Sequence, residues 1–186
     1  MQHWRFNLIK SIQAAAELLA REPGRQMSRL RLIKLLYIAD REALKETGRP
    51  ITWDRWVAMK HGPVLSRFYD VIKGLEVGST ELAKYVDQQG YQIILRSDPG
   101  KGQLNRYEIR KLAELSNRYR DQDEWELVEI THQFPEWIKN NPGDSSRQIP
   151  LEDILAGVDM DSERIQAVLR DAEDVGKLQH AINRAL

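Results

Sequence analysis

The sequence predicts a mainly α fold: a single domain of six or seven helices around one central apolar helix, with one small β-hairpin. Three observations lead to this fold class. Apolar residues recur at the helical spacing of three and four over most of the chain. Segment 30–39 is apolar on nearly every face, as expected of a helix that runs through a core. Only segment 85–95 has the strand–turn–strand pattern of a hairpin.

The first two predicted helices cover residues 6–21 and 29–46. The first has apolar side chains at positions i, i+4, i+7 and i+11, namely Leu8, Ile12, Ala15 and Leu19. It ends at the proline- and glycine-containing turn 22–24. The second begins after Ser28, whose hydroxyl can accept a hydrogen bond from the first helical turn. It ends at Gly48, because glycine adopts the left-handed cap conformation without strain.

The middle of the chain contains the predicted hairpin and a helix that starts at a proline. Residues 55–60 are too short and too aromatic for a helix, so we expect an extended or irregular segment there. Pro63 suits the first position of a helix, and apolar residues continue with helical spacing from Val64 to Leu75. The hairpin strands flank turn 88–90.

Capping residues mark the helices of the second half. Asn105 and Asp123 are each followed three residues later by a glutamate, which is the pattern of a capping box. The predicted helices here are 106–120, 124–133, 151–156 and a long last helix from Ser162. The apolar stripe of the last helix continues to Leu186, so it can pack on its own domain or on another chain. Segment 140–146 is the longest polar stretch and is predicted to be a loop.

Composition excludes several classes of protein. The 186 residues, 41% hydrophobic and 30% charged, fit one globular domain rather than a disordered chain. No apolar run reaches the roughly 18 residues that a membrane span needs, and no secretion signal is recognisable at the N-terminus. The absence of cysteine excludes disulfides, thiolate nucleophiles and sulfur-ligated metals. We therefore expect a cytoplasmic protein that does not enter membranes.

The net charge of zero hides an asymmetry between the two halves of the chain. Residues 1–75 hold 14 Lys and Arg against 7 Asp and Glu, whereas residues 76–186 hold 14 against 21. The halves are expected to attract each other as packed parts of one domain. In the alternative interpretation, the basic half recruits an acidic partner. The zero net charge argues against a general nucleic-acid-binding protein.

A basic set at the first interhelical connection has an arrangement that could bind phosphates. Its members are Arg21, Arg25, Arg29, Arg31 and Lys34. The alternative is a solvated, charged connection. The helix that follows is the most apolar in the chain, whereas a DNA-recognition helix needs polar base-reading side chains. A helix-turn-helix, and nucleic acid as a partner, are therefore not expected.

The sequence offers little for catalysis or for metal binding. The four histidines are scattered, without the i, i+4 pairing typical of metal ligands: His3, His61, His132 and His180. No phosphate-binding glycine loop, dinucleotide motif or nucleophile motif is present. We predict no catalytic residue, no metal and no cofactor. A hydrolase would have to use His61 and His132 with Tyr69; alternatively, both histidines are structural groups near turns.

The best candidates for a partner-binding surface lie between Gly48 and the Gly62-Pro63 turn. Tryptophan and arginine dominate protein interfaces, and this connection contains both: Arg49, Trp53, Arg55 and Trp56. In the alternative interpretation, Trp56 belongs to the core and only Trp53 is partly exposed.

Several segments, in order along the chain, resemble one known family. They are 32–40 (LIKLLYIAD), 48–51 (GRPI), 58–64 (AMKHGPV) with Tyr69, 125–132 (WELVEITH) and 135–137 (PEW). These segments resemble the SocA-like, or Panacea, antitoxin domain, formerly grouped with phage-associated proteins of unknown function. The resemblance covers about residues 28–140 of a single domain 1–186, with a helical extension over about 150–186. Met59 and His61 stand where much of the family has an aromatic residue and a tyrosine, which places the chain in a divergent branch.

The resemblance implies a mostly helical bacterial domain that neutralises a cognate protein toxin by direct contact, usually encoded beside it. One family member acts instead as an adaptor that delivers its toxin to a protease, so a protease is the second partner to consider. A hydrolase and a transcriptional autorepressor are further alternatives, and the oligomeric state is left open. The family-motif residues are interpreted as structural: Lys34, Tyr37, Lys60, His61, Gly62, Pro63, Tyr69, Thr131, His132 and Trp137.

Overall fold

The computed structural model describes the backbone of residues 6–185 and the side chains of residues 6–174. Within these residues the chain forms nine α-helices and six short strands. The helices are α1 (Leu8–Leu19), α2 (Arg29–Thr47), α3 (Ser66–Ile72), α4 (Ser79–Leu82), α5 (Arg106–Arg118), α6 (Glu124–His132), α7 (Pro135–Lys139), α8 (Leu151–Gly157) and α9 (Ser162–Ala185). The strands are β1 (Gln26–Ser28), β2 (Trp56–Met59), β3 (Gly62–Leu65), β4 (Val86–Gln89), β5 (Gln92–Leu95) and β6 (Ser146–Gln148).

The predicted mainly α fold with six or seven helices and one hairpin is wrong, because the described chain contains two three-stranded antiparallel sheets. The predicted hairpin exists as β4 and β5, but β1 adds a third strand in the order β1-β5-β4. The second sheet has the order β3-β2-β6. Strands of three or four residues are too short for a clear alternating pattern. Moreover, β1 and β6 pair with distant segments, such as Gln26 with Ile94 and Val57 with Gln148.

The prediction that Pro63 opens a helix is also wrong, because Pro63 pairs with Ala58 inside the β2–β3 hairpin. Helix α3 begins three residues later, where the buried carboxylate of Asp54 reaches its first turn. Asp54 accepts hydrogen bonds from the backbone N–H groups of Arg67 and Phe68 at 3.0 and 2.8 Å. Burial raises the pKa of Asp54 to about 6. The start of α3 is therefore set by a residue twelve positions upstream, which local helix signals do not include.

Helix α2 forms the centre of the core, as predicted. Ser28 Oγ accepts a hydrogen bond from the N–H of Arg31 at 3.2 Å, and Gly48 takes a left-handed cap with φ 76°. Every residue from Leu32 to Asp40 is buried, because α1, α5, α6 and β3 all pack against this helix. The capping boxes predicted at the starts of α5 and α6 are both formed.

Ion pairs join the basic first half of the chain to the acidic second half. They connect Lys10 to Glu108, Arg41 to Glu136, Arg49 to Asp171 and Lys60 to Asp144, at 2.6 to 3.1 Å. These contacts support the interpretation that the two halves are packed parts of one domain. Among the described residues, no helix has both the length and the apolar composition required to cross a membrane.

The described part of α9 packs on its own domain. Val168 and Ala172 are buried, and Arg164 donates a hydrogen bond to the backbone oxygen of Glu46 at the end of α2, at 2.9 Å. Val168 also lies against Gly48. The side chains that continue the stripe beyond residue 174, together with His3 and His180, lie outside the described residues.

Candidate functional site

Most family-motif residues meet at the turn between β2 and β3. The turn, residues 60–63, lies against α2 and α6, which bring Lys34 and Thr131 to it. His132 and Trp137 lie beside the same turn. Tyr69 does not join them, because it lies on α3 in a groove with Arg55. Tertiary packing thus brings together segments that are up to a hundred residues apart.

Gly62 is the point of closest approach in this site. Its φ is +88°, in the region that favours glycine. A Cβ at this position would lie 2.7 Å from both Lys34 Nζ and Thr131 Oγ1, and 3.3 Å from His132 Cδ2. The glycine is therefore required both by the backbone conformation and by the packing of α2 and α6 against the turn.

Lys34 is a fully buried amine at the base of the site. Its Nζ donates a hydrogen bond to the carbonyl oxygen of Pro63 at 2.8 Å. Among the described side chains, no carboxylate forms an ion pair with it. Burial without a counter-charge lowers its pKa from 10.5 to about 7. The amine therefore holds the turn against α2 and is close to half protonated at neutral pH.

The buried Lys34 predicts that the protein becomes more stable above neutral pH. Between pH 7 and pH 10.5 the unfolded chain binds a proton at this amine that the folded chain does not, so the free energy of unfolding rises with pH. A difference of one bound proton between the unfolded and folded chains changes the free energy of unfolding by about 1.4 kcal/mol per pH unit. We therefore expect the free energy of unfolding to rise by about 2 kcal/mol from pH 7 to pH 9.

Chemical denaturation at pH 7, 8 and 9 measures this gain, with Lys34→Met as the comparison. Methionine keeps much of the buried volume and removes the titrating group. The free energy of unfolding of the variant should therefore not rise with pH in this way, whereas all other groups titrate as in the unaltered chain. An equal pH dependence in both proteins would show that Lys34 is not the cause.

Two histidine–tryptophan pairs flank the turn. The ring of His132 stacks on Trp137, with centroids 4.0 Å apart and planes at 15°, and Trp137 Nε1 donates to the carbonyl oxygen of Met59 at 3.1 Å. The ring of His61 meets Trp125 edge to face, at 5.5 Å and 83°. Burial, and then the charge of Lys34, lower the pKa of His132. His132 is therefore neutral at pH 7 and packs as an aromatic ring.

The outer side of the site is accessible. His61 and Lys60 are exposed, and Lys60 forms an exposed ion pair with Asp144 at 2.8 Å. Trp125 is 55% exposed, whereas most tryptophans in folded proteins are largely buried. The turn thus has a buried side that holds the fold and an exposed side that can meet a partner.

Tyr37 belongs to a second buried network, below the site. Its hydroxyl donates to Glu136 Oε1 at 3.2 Å, and Arg41 Nε donates to the same oxygen at 2.7 Å. Arg41 also donates to the carbonyl oxygen of Gly157 at 2.6 Å and lies over the ring of Phe134 at 4.2 Å. This network joins α2 to α7 and α8. Burial raises the pKa of Tyr37 well above its ordinary value, so it remains a neutral donor.

The predicted partner-binding residues do not form one patch. Trp56 is fully buried in β2, which agrees with the interpretation that places it in the core and leaves none of its ring exposed to a partner in this structure. Arg49 and Trp53 line a cavity of about 260 Å³ beside α5, whereas Arg55 lines a separate groove of about 340 Å³. Trp53 is half-buried and has φ 61°, a strained conformation for a bulky residue.

The three residues named for a hydrolase are not assembled together. His61 lies close enough to His132 for its charge to contribute to the lowered pKa of His132. Tyr69, by contrast, lies in the groove of Arg55, where it meets the side chains of Arg29 and Lys73. In the described part of the chain, no group of three or more His, Asp and Glu side chains is placed to hold a metal ion.

Sequence reasoning missed Trp125 as an exposed residue, although a signal for it was present. The capping box fixes the start of α6 at Asp123, and the apolar residues Leu127 and Val128 must then face the core. That phase of the helix directs Trp125 and Glu129 outward. The buried pair of Arg41 and Glu136 had no comparable signal, because the two residues are 95 positions apart.

A protein-family model matches this chain. It is described as "Antitoxin SocA-like, Panacea domain" and matches residues 32–138, more than half of the sequence. The match extends from the first turn of α2 to α7, so it includes the β2–β3 turn and both histidine–tryptophan pairs. No curated protein and no solved structure matches the chain.

Proposed function

Because the chain belongs to the family of SocA-like antitoxins with a Panacea domain, we propose that it neutralises a cognate toxin protein by direct, stoichiometric binding. The observation that carries this proposal is the family match over residues 32–138. The role is non-enzymatic. The polar groups at the centre of the site have structural partners, since Lys34 Nζ and the indole N–H of Trp137 donate hydrogen bonds to backbone carbonyl oxygens.

The geometry supports a binding protein with a rigid support and an exposed aromatic surface. Buried contacts of Gly62 and Lys34 fix the β2–β3 turn, and a capping box fixes the start of α6. A preorganised surface loses little conformational entropy on association. A masking antitoxin needs this property, because it must hold its toxin tightly without the help of a chemical step.

Co-expression with the product of the neighbouring open reading frame tests the function. Growth should stop when that product is expressed alone and should recover when this chain is added, and the two purified proteins should form a complex. The toxin level separates two modes of neutralisation: it stays constant under masking and falls in a protease-dependent way if the chain is a proteolytic adaptor. Failure of this chain to restore growth, together with failure to bind, would contradict the proposal.

Arg49, Trp53 and Arg55 remain our first proposed contact residues. The ion pair of Arg49 with Asp171 is exposed on both sides, so little stability depends on it. We expect Arg49→Glu to weaken toxin binding by about tenfold or more, with the melting temperature nearly unchanged. Trp53→Ala should weaken binding by about 30-fold.

Binding and thermal melting are measured for both variants and for Lys139→Glu as a matched control. Lys139 is also an exposed cation in an ion pair, with the largely buried Asp153, but it lies on α7. Normal toxin rescue by well-folded Arg49→Glu and Trp53→Ala would place the contact on another face. A large loss of stability in Trp53→Ala would show instead that its ring belongs to the core.

A further inference from the structure

We propose that the exposed face of α6 binds a basic segment of the partner protein, with an arginine or lysine side chain placed on the indole of Trp125. This face, called here the α6 face, consists of Trp125, Glu126 and Glu129, with His61 beside it. The inference rests on the proposed function for one point, namely that the partner is the toxin. The cationic character of the bound segment is inferred from the chemistry of the surface itself.

The packing of α6 determines which residues form this face. Leu127, Val128 and Thr131 are buried against the core, so the opposite side of the helix faces solvent. Trp125 and Glu129 are four residues apart and are therefore neighbours on the helix surface. An aromatic ring and a carboxylate thus stand side by side and are both exposed.

Trp125 is held in position without being covered. Its edge-to-face contact with His61, at 5.5 Å, restrains the indole, yet the residue is 55% exposed. An exposed tryptophan with restricted rotamers is the kind of residue that dominates interface energetics. Because the turn that carries His61 is fixed by Gly62, the support of the indole is itself rigid.

The charge of the α6 face identifies the chemistry of its occupant. Asp123, Glu124, Glu126 and Glu129 make this end of α6 acidic. Glu126 accepts a hydrogen bond from the N–H of Asp123, and no Lys or Arg among the described side chains forms an ion pair with Glu126 or Glu129. The nearest basic residue on the turn, Lys60, pairs with Asp144 instead. An uncompensated acidic surface favours a basic partner.

Trp125 also differs from several other aromatic residues because no described arginine or lysine side chain lies over its ring. In the described part of the chain, five aromatic rings have an arginine or lysine within 6 Å of their centroids: Phe6, Tyr69, Tyr91, Tyr119 and Phe134. No described cation lies over Trp125, although tryptophan is the ring that attracts cations most strongly. The α6 face therefore presents a tryptophan and an adjacent carboxylate that no described cation of this chain occupies, and a basic segment of another molecule fits them.

A titration of the full chain with two synthetic peptides tests this chemistry directly. The probes are Ac-GRGRGRG-NH2 and Ac-GEGEGEG-NH2, and the signal is the indole N–H of Trp125 in a 15N-correlated NMR spectrum, assigned with Trp125→Phe. We expect a saturable shift with the arginine peptide, weakened at least about tenfold in 0.5 M salt and by Glu129→Lys. No shift at millimolar peptide, or an equal shift with the glutamate peptide, would overturn the proposal.

Toxin rescue by variants tests the surface in its biological setting. Trp125→Ala should weaken binding of the neighbouring gene product by about 30-fold, and Glu129→Lys by at least as much. The controls are Tyr91→Ala and Glu152→Lys, which change an exposed aromatic and an exposed acid on other elements, and they should bind normally. If folded Trp125→Ala and Glu129→Lys rescue fully, the α6 face is not the contact, although the antitoxin function stands. If the unaltered chain fails to rescue, the antitoxin function fails, and the peptide titration still decides the chemistry of the face.

Discussion

Replacing Gly62 with alanine is expected to lower the free energy of unfolding by about 4 kcal/mol. Two separate effects contribute. A residue with a side chain at φ +88° is strained by roughly 1 to 3 kcal/mol. The new Cβ would also stand 2.7 Å from two atoms on different helices, Lys34 Nζ and Thr131 Oγ1, and overpacking of this kind costs about 1 to 3 kcal/mol more. Urea denaturation measures the sum.

Gly90 provides a matched control, because it lies at the turn of the other hairpin with φ +60° and, among the described residues, no contacting atom lies within 4 Å of the position that a Cβ would take. Gly90→Ala should therefore show backbone strain alone, about 1 to 2 kcal/mol. If Gly62→Ala loses no more stability than Gly90→Ala, the close packing around Gly62 is not important. If Gly62→Ala keeps its stability and loses toxin neutralisation, the turn acts in binding rather than in folding.

Removing the carboxylate of Glu136 is expected to destabilise the protein by about 3 to 5 kcal/mol, because loss of one partner leaves a buried charge uncompensated. The Glu136 side chain is fully buried and Arg41 is largely so. In Glu136→Ala the hydroxyl of Tyr37 loses its acceptor, and the guanidinium of Arg41 loses its only carboxylate partner among the described residues and keeps the carbonyl oxygen of Gly157. Thermal and urea unfolding, compared with the unaltered chain, give the measurement.

Two further variants separate charge from packing. Lys139→Ala, on the same helix as Glu136, removes an exposed lysine that pairs with Asp153 of α8 and should change stability by less than about 1 kcal/mol. The double variant Arg41→Met with Glu136→Met removes both charges and fills the space with apolar atoms, so it should lose much less than Glu136→Ala. A double variant as unstable as Glu136→Ala would show that the loss comes from packing rather than from the unpaired arginine.

The site therefore divides into a supporting part and a contact part. Gly62, Lys34 and Glu136 act through buried contacts, so variants at these positions should affect binding only by affecting the fold. Trp125 and Glu129 are exposed, so their variants should weaken binding and leave the stability of the fold nearly unchanged. His132 lies in the supporting part and His61 in the contact part. Sequence spacing does not distinguish these two environments, so by itself it gave neither histidine a definite role.

Local signals in the sequence determined the helices correctly wherever the decisive contact lies within a few residues. Ser28, Asn105 and Asp123 cap helices through hydrogen bonds to backbone groups three residues away, and Gly48 ends α2 through its own backbone conformation. The apolar pattern of 30–39 was sufficient to identify the central helix. The ordered family segments were likewise visible in the sequence, and the family match over 32–138 confirms that resemblance.

Tertiary structure alone decided the features whose partners are distant in sequence. Strands β1 and β6 exist because Ile94 and Val57 provide their backbone partners, and α3 begins where Asp54, from another segment, reaches its N–H groups. The burial of Trp56 likewise follows from which neighbours pack around it. A local pattern records the preference of a segment, whereas long-range hydrogen bonds and packing form only when the whole chain folds. These long-range contacts determined the second sheet and the contact between Trp125 and His61.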